Sequence, residues 1–334
     1  MREPAFWRHG GLAAQALAPA AAIYGAIADA RMKRDGAQAR VPVFCVGNLT
    51  AGGAGKTPTA IALAKSFLAR GLKPYFLTRG YGGNNAGPLL VSQGHTARDV
   101  GDEALLLARL APTIVAHDRS AGAQVAVATG ASVIVMDDGF QNSALKKDFA
   151  LLVVDGSRGI GNGRVIPSGP LRASLGAQLT RANAMLVVGA ISNPTRAVVA
   201  AARERGIPVF TGNLMPDAPT MTELRGKKIL AYAGIGHPDK FFATLNAAGA
   251  LVRGTRAFAD HHPFSKSEAT GLLDTAAREH LTLVTTEKDI ARMRGDPALA
   301  ALAQQTMVLP VTMTFDDEAG WRRDVVDRFL KIKA

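Results

Sequence analysis

Residues 41–59, VPVFCVGNLTAGGAGKTPT, constrain this fold more than any other stretch of the chain. Residues 43–46 form a short apolar run that reads as a buried strand, and a helical pattern begins at residue 60 and runs to residue 68. Between them lies Gly52-Gly53-Ala54-Gly55-Lys56-Thr57. Strand, glycine-rich loop and helix in this order make a phosphate site. The glycines let backbone N–H groups turn inward onto an anion, and the helix N-terminus adds partial positive charge. In such a loop Thr50, Ala51, Gly52, Gly53, Ala54 and Gly55 cradle the phosphates, Lys56 reaches the β- and γ-phosphates, and the Thr57 hydroxyl faces Mg²⁺. The strict spacing G-x-x-x-x-G-K-[ST] has Thr50 in its first place here, so the loop is a variant. An ordinary glycine-rich turn is the competing reading, and the flanking strand and helix weigh against it.

A chain of 334 residues exceeds the size at which one core keeps growing, which predicts two domains. Strands are predicted at residues 73–78, 113–116, 132–136, 150–154, 185–188 and 208–211, with helices at 102–110 and 120–129. Apolar strands alternating with helices imply right-handed βαβ units on a doubly wound sheet, the α/β/α class of P-loop NTPases. The texture changes over residues 213–228 to prolines, charges and short apolar pieces, which reads as a linker. A second, smaller α/β/α set follows, with strands at 229–233, 282–285 and 307–311 and helices at 238–248, 269–279 and 318–332. The expected partition is therefore 1–40, an N-terminal helical segment; 41–212, the phosphate-loop domain; 213–228, the linker; and 229–334, a second domain closing over the site, its last helix free to pack back on the first.

The charge balance, 39 Lys and Arg against 27 Asp and Glu for a net +12, calls for a polyanionic partner. Aromatic residues make up only 6%, with no arginine–aromatic block of the kind that stacks bases, so a membrane surface or a phosphorylated substrate is favoured over nucleic acid. The single Cys45 lies inside the apolar strand and reads as an inert core thiol. Residues 10–28 carry no charge and are flanked by Arg2 and Arg8 on one side and Arg31, Lys33 and Arg34 on the other. A secretory signal cleaved near Ala28-Asp29-Ala30 conflicts with the nucleotide loop that follows, and Pro19 and the alanine content argue against a spanning helix. What remain are an interfacial segment with basic flanks, which predicts membrane attachment, and a core-packing helix pair, which does not.

Residues 133–136 deliver Asp137-Asp138 at a strand end some eighty residues after Lys56, where phosphate-loop proteins place a Mg²⁺-side carboxylate. If the strand continues, the two acids point to opposite faces and only one serves. Gly101-Asp102-Glu103 opens a helix. Asp102 is either a helix-capping acid or the carboxylate that takes the proton of an attacking hydroxyl. Asp260-His261-His262 and Thr286-Glu287-Lys288-Asp289 stand in the second half, the latter close to a guanine-reading motif but with its lysine one place late. Arg158, Arg164 and Arg172 mark either a clamp for a phosphorylated substrate or a basic loop.

Taken together, VGNLTAGGAGKTP, RGYGG, VGDE, HDR, DDGFQ, LLVVDGSRGIGNGRVIPSGPLR, AGIGHPDKFF, FADHH and TEKD resemble the tetraacyldisaccharide 4'-kinases of lipid A biosynthesis over nearly the whole chain. The resemblance implies a peripheral enzyme on the cytoplasmic face of the bacterial inner membrane. With ATP and Mg²⁺ it would phosphorylate the 4' hydroxyl of a disaccharide 1-phosphate, an alcohol-acceptor phosphotransfer. It implies Asp102 as the acid that deprotonates the hydroxyl, His261 as its partner, and Lys56 and Thr57 in the roles above. It places Glu103, Asp137 and Asp138 on the metal side, and Arg79, Tyr81, Arg119, Gln141 and Arg172 near phosphate or substrate. No nucleic acid and no particular oligomer is implied. Two other classes compete: a P-loop kinase of a small soluble substrate, which needs no apolar N-terminal surface, and a GTPase-like switch, which would bind GTP at least as well as ATP.

Overall fold

The computed structural model describes residues 4–331. Among the described residues thirteen strands are arranged in two sheets. In chain order they are β1 (Val43–Asn48), β2 (Pro74–Thr78), β3 (Leu89–Leu90), β4 (Thr113–Val115), β5 (Val133–Asp137), β6 (Phe149–Asp155), β7 (Ala184–Val188), β8 (Val209–Pro216), β9 (Lys228–Ala233), β10 (Leu251–Ala257), β11 (Thr282–Thr286), β12 (Thr306–Leu309) and β13 (Val311–Phe315). The large sheet runs β13-β8-β7-β6-β1-β5-β2-β4-β3 and the small one β10-β9-β11-β12. Every pairing is parallel except those of the edge strands β3 and β13. The α/β/α class read from the alternation is the one observed.

β1 is buried along its whole length between β5 and β6, with apolar layers on both faces. This is why its sequence is a continuous apolar run with no alternation. Strand order reverses at β1. In open parallel sheets ligands bind at such a switch point, beyond the carboxyl ends of the strands, and the glycine-rich loop leaves β1 there.

Several elements depart from the sequence expectation. The strand expected at 307–311 is two strands, β12 in the small sheet and β13 antiparallel to β8 in the large one. Residues 213–228, expected as a linker, hold the end of β8 and a helix, Ala218–Leu224, whose N-cap Asp217 accepts from Thr220 N. β10 was not foreseen, because an exposed edge strand bearing Arg253 and Arg256 shows no apolar run. The final helical stretch includes a π-helical segment, Arg322–Asp327, and returns to the large sheet. There Phe329 meets Phe44, Phe67 and Phe149 at ring separations of 5.1, 5.5 and 6.3 Å.

Pro19 does not break the N-terminal helix. It stands in the first turn of Ala18–Met32, where a missing N–H costs nothing. That helix packs one side on the body, Gly25 against Val165 and Asp29 Oδ1 accepting from Ser174 N at 2.9 Å. Ahead of it, the Trp7 indole donates to Pro167 O and Ser168 Oγ donates to Ala14 O. Ile23, Tyr24 and Ile27 remain exposed, and Leu12 is 84% exposed. Among the described residues no helix is long and apolar enough to cross a membrane.

Candidate active site

The loop after β1 is held from within and from outside. Asn48 Nδ2 donates to Gly52 O at 2.9 Å, and Gly52 and Gly55 adopt φ of 108° and 89°. On the outer side Ala51 N donates to Pro170 O, Arg172 N to Leu49 O, and Arg172 Nε to Thr50 O at 3.2 Å. Thr50 forms an antiparallel bridge with Leu171, so the position that is glycine in the strict motif is here extended backbone, which a β-branched residue adopts readily. The helix Lys56–Leu68 starts at the lysine itself. Lys56 Nζ turns back over the loop, 3.5 Å from Gly52 O and 3.7 Å from Asp138 Oδ2.

The paired acids at the end of β5 reach the same crevice. Asp137 is the last strand residue, and its Oδ2 accepts from Thr57 Oγ1 at 2.8 Å. Asp138 leaves the strand at φ 53°, and this left-handed turn cancels the alternation that would have sent it to the other face. The turn lies close against β1: a Cβ at Gly47 would stand 2.3 Å from Phe140 Cβ. Arg172 grips Asp138 in a bidentate pair of 2.8 and 3.2 Å. Burial opposes ionisation of Asp138, but Lys56 and Arg172 outweigh it and hold the carboxyl at about 2.

Asp137 is the opposite case. Burial, reinforced by Glu103 and only partly offset by Lys56, pushes its carboxyl up to about 7, and its Oδ1 has no hydrogen-bond partner. A buried carboxylate with one oxygen uncommitted beside a threonine hydroxyl fits a divalent cation, with Glu103 as a neighbouring ligand. Among the described residues no group of three or more His, Cys, Asp or Glu forms a metal cage, so such a cation would draw its remaining ligands from phosphate and water. A carboxyl with a raised folded-state pKa keeps its proton in the folded chain after the unfolded chain has lost it. Stability therefore falls as pH climbs from about 4 to about 7. Without cation and nucleotide, the melting temperature of Asp137→Asn relative to the native chain is expected to rise by a few degrees between about pH 5 and about pH 8. A difference that does not change with pH would refute the raised carboxyl.

Across the crevice the small sheet brings a second set of groups. A Cβ at Gly236 would stand 3.4 Å from Gly53 N, so the turn after β9 lies against the loop, and Lys240 pairs with Asp155 at 2.7 Å. His261, at φ 57°, directs Nδ1 to Asp102, 3.1 and 3.2 Å from its two oxygens. His262 turns away to Glu268 at 2.9 Å. Asp102 is the first residue of the helix Asp102–Ala108, whose N-cap is Gly101, and its Oδ1 accepts from Glu103 N. Its side chain is 1% exposed against 18% for His261, so the imidazole lies on the open side of the pair. Burial would raise the Asp102 carboxyl, but the His261 hydrogen bond, Lys288 and Arg292 lower it.

The roles of two of these cations were not read from the sequence, although Lys288 stands in the segment 286–289 singled out there. Both lie on an unforeseen helix, Glu287–Met293, which opens at the TEKD segment. Arg292 places Nε 3.0 Å from Asp102, Nη2 2.7 Å from Asp289 and from Gly234 O, and Nη1 3.1 Å from His262 O. Lys288 Nζ lies 3.1 Å from Glu103 Oε1 and 3.1 Å from His261 Nε2. The signal was available: a lysine and an arginine four apart share one helix face, and Asp289 lies three before the arginine.

Of the remaining candidates, Tyr81 is 62% exposed with its ring edge-on to His261 at 4.8 Å, and Arg79 is exposed on the same loop. Gln141 donates to Asn48 O and Gln178 Oε1, bracing the loop from below. Arg119 is buried and hydrogen-bonded to Ala116 O, and burial brings its guanidinium down to about 10.

Residues 13–330 match the LpxK family, Tetraacyldisaccharide-1-P 4'-kinase. The chain belongs to this family. It is 52% identical to the tetraacyldisaccharide 4'-kinase of Rhodopseudomonas palustris strain BisA53, over 98% of this chain and 95% of that protein. It is 54% identical to that of Methylobacterium sp. strain 4-46, over 93% of this chain and 94% of the relative. Among solved structures, LpxK from Aquifex aeolicus in complex with ATP superposes with a TM-score of 0.72 at 23% identity, covering 95% of this chain and all of that one, which establishes the shared fold. The family is one of kinases, and this chain is accordingly a phosphotransferase that acts on a hydroxyl group.

Proposed function

We propose that this protein transfers the γ-phosphoryl group of ATP to the 4' hydroxyl of a tetraacyldisaccharide 1-phosphate, giving the 1,4'-bisphosphate lipid A precursor. What carries this reading is that the family match spans residues 13–330 and so includes both the phosphate loop and the facing Asp102–His261 pair. Lys56 and the loop N–H groups hold the donor's phosphates, and Thr57, Asp137 and Glu103 hold Mg²⁺, which when bound neutralises phosphate charge. Asp138 stays committed to Arg172 and Lys56 and stiffens the loop. The acceptor hydroxyl enters from the His261 side, beside Tyr81, and its proton passes to the anionic Asp102–His261 pair. Arg79, exposed on the loop that carries Tyr81, meets the negative charge that a substrate phosphate brings.

The exposed Leu12, Ile23, Tyr24 and Ile27, together with Arg31, Lys33 and Arg34, form the surface that meets the cytoplasmic leaflet of the inner membrane. One experiment tests both parts: labelled ATP, Mg²⁺ and a monophosphorylated tetraacyl disaccharide, either in anionic vesicles or dispersed in detergent. Label is expected on the 4' oxygen, and its absence with active ATP binding would overturn the reaction. A variant carrying Ile23→Asp and Ile27→Asp is expected to lose at least about tenfold in rate on vesicles and nothing in detergent. Equal rates on vesicles would overturn the membrane surface.

A further inference from the structure

We infer that Lys288 is a positioning residue for the proposed reaction, one whose ammonium donates to His261 Nε2 and so keeps the ring proton on Nδ1, facing Asp102. The inference rests on the reading that Asp102 and His261 activate the acceptor. Its basis is donor and acceptor chemistry. An ammonium has hydrogens to give and no lone pair, so at 3.1 Å from His261 Nε2 it can only donate, and Nε2 must carry its lone pair. The ring proton then sits on Nδ1, where the facing groups are the two oxygens of Asp102, which can only accept while ionised. Each atom thus has one consistent role, from Lys288 through the imidazole to the carboxylate. An Nε2–H would stand against the ammonium of Lys288 at 3.1 Å and find an acceptor only in Asp260 Oδ1, 3.8 Å away.

The place of Lys288 is fixed by its surroundings, with Glu103 Oε1 3.1 Å from the ammonium. Asp260 Oδ1 lies 3.7 Å away, and Glu103 fixes the ammonium from the large-sheet side. Arg292, on the same helix face, holds the far oxygen of Asp102. The two cations therefore grip opposite ends of the pair. Among the described residues no hydrogen bond or ion pair joins either to the phosphate loop, so loss of Lys288 is expected to appear in turnover rather than in nucleotide binding.

Three measurements on the full-length protein test the inference. In Lys288→Met, kcat is expected to fall about 10²-fold while KM for ATP stays within about threefold, since a displaced catalytic group costs rate and not donor affinity. In ¹⁵N-histidine spectra, with the His261 signals identified by their loss in His261→Gln, the native protein should show a protonated Nδ1 and an unprotonated Nε2. Lys288→Met should show protonation at Nε2. Finally, Lys288→Cys alkylated with bromoethylamine regains an ammonium at the same reach. The only native thiol, Cys45, is fully buried with its pKa pushed up to about 11, so it is spared. Alkylation should restore kcat and the native tautomer. The inference is overturned by native turnover in Lys288→Met, by an unchanged tautomer there, or by failure of the alkylated protein to recover. Asp102→Asn assayed in parallel separates the two levels. A slow Asp102→Asn beside a fast Lys288→Met removes only the role of Lys288, whereas a fully active Asp102→Asn removes the dyad itself.

Discussion

Lys56→Ala is expected to lower ATP-dependent phosphoryl transfer by at least about 10³-fold while the chain still folds. Lys56 is the first residue of its helix, is almost fully buried, and its ammonium lies directly over the loop backbone. No other ammonium reaches Gly52 O among the described residues, so nothing replaces it against the phosphate charge that builds up during transfer. The fold should survive, because Asp138, the acid that Lys56 faces, keeps its bidentate partner Arg172. Circular dichroism and the melting temperature should therefore stay near native as turnover collapses. Native turnover in this variant would refute the phosphate-loop assignment.

Asp102→Asn is expected to lower kcat by about 10²–10⁴-fold with little change in KM for ATP. The substitution keeps shape and removes the charge, so it tests the proton acceptor more cleanly than truncation does. Arg292 retains Asp289, Gly234 O and His262 O, so its charge is not left buried without a partner. His261→Ala should fall in the same range. Residues that act as one unit are not additive, so the double variant is expected to be about as slow as the slower single one. A double variant slowed by the product of the two single effects would mean that Asp102 and His261 act independently.

The phosphate loop, the parallel α/β class and the family were legible in the sequence because each depends on local order. A buried central strand must be apolar throughout, a phosphate cradle needs glycines between strand and helix, and these requirements are written in consecutive residues. Asp102 and His261 could be named from motifs, but not their geometry. They are 159 positions apart in the chain, and only the packing of the small sheet across the crevice sets Nδ1 on the carboxylate.

Other features were invisible locally for stated reasons. β13 looked like the tail of the preceding strand, since a Pro310 turn between two sheets leaves no mark in apolar periodicity. Asp137 and Asp138 looked like opposite-facing neighbours until a left-handed φ at the second brought both to one crevice. Lys288 and Arg292 carried a helical spacing but no destination, because a cation's role depends on which carboxylates the fold sets in front of it. The sequence by itself determined that a glycine-rich loop of the kind that cradles phosphates leaves the end of β1. Only the tertiary structure decided what faces them, because the acceptor side is assembled from two sheets whose contact no local pattern records.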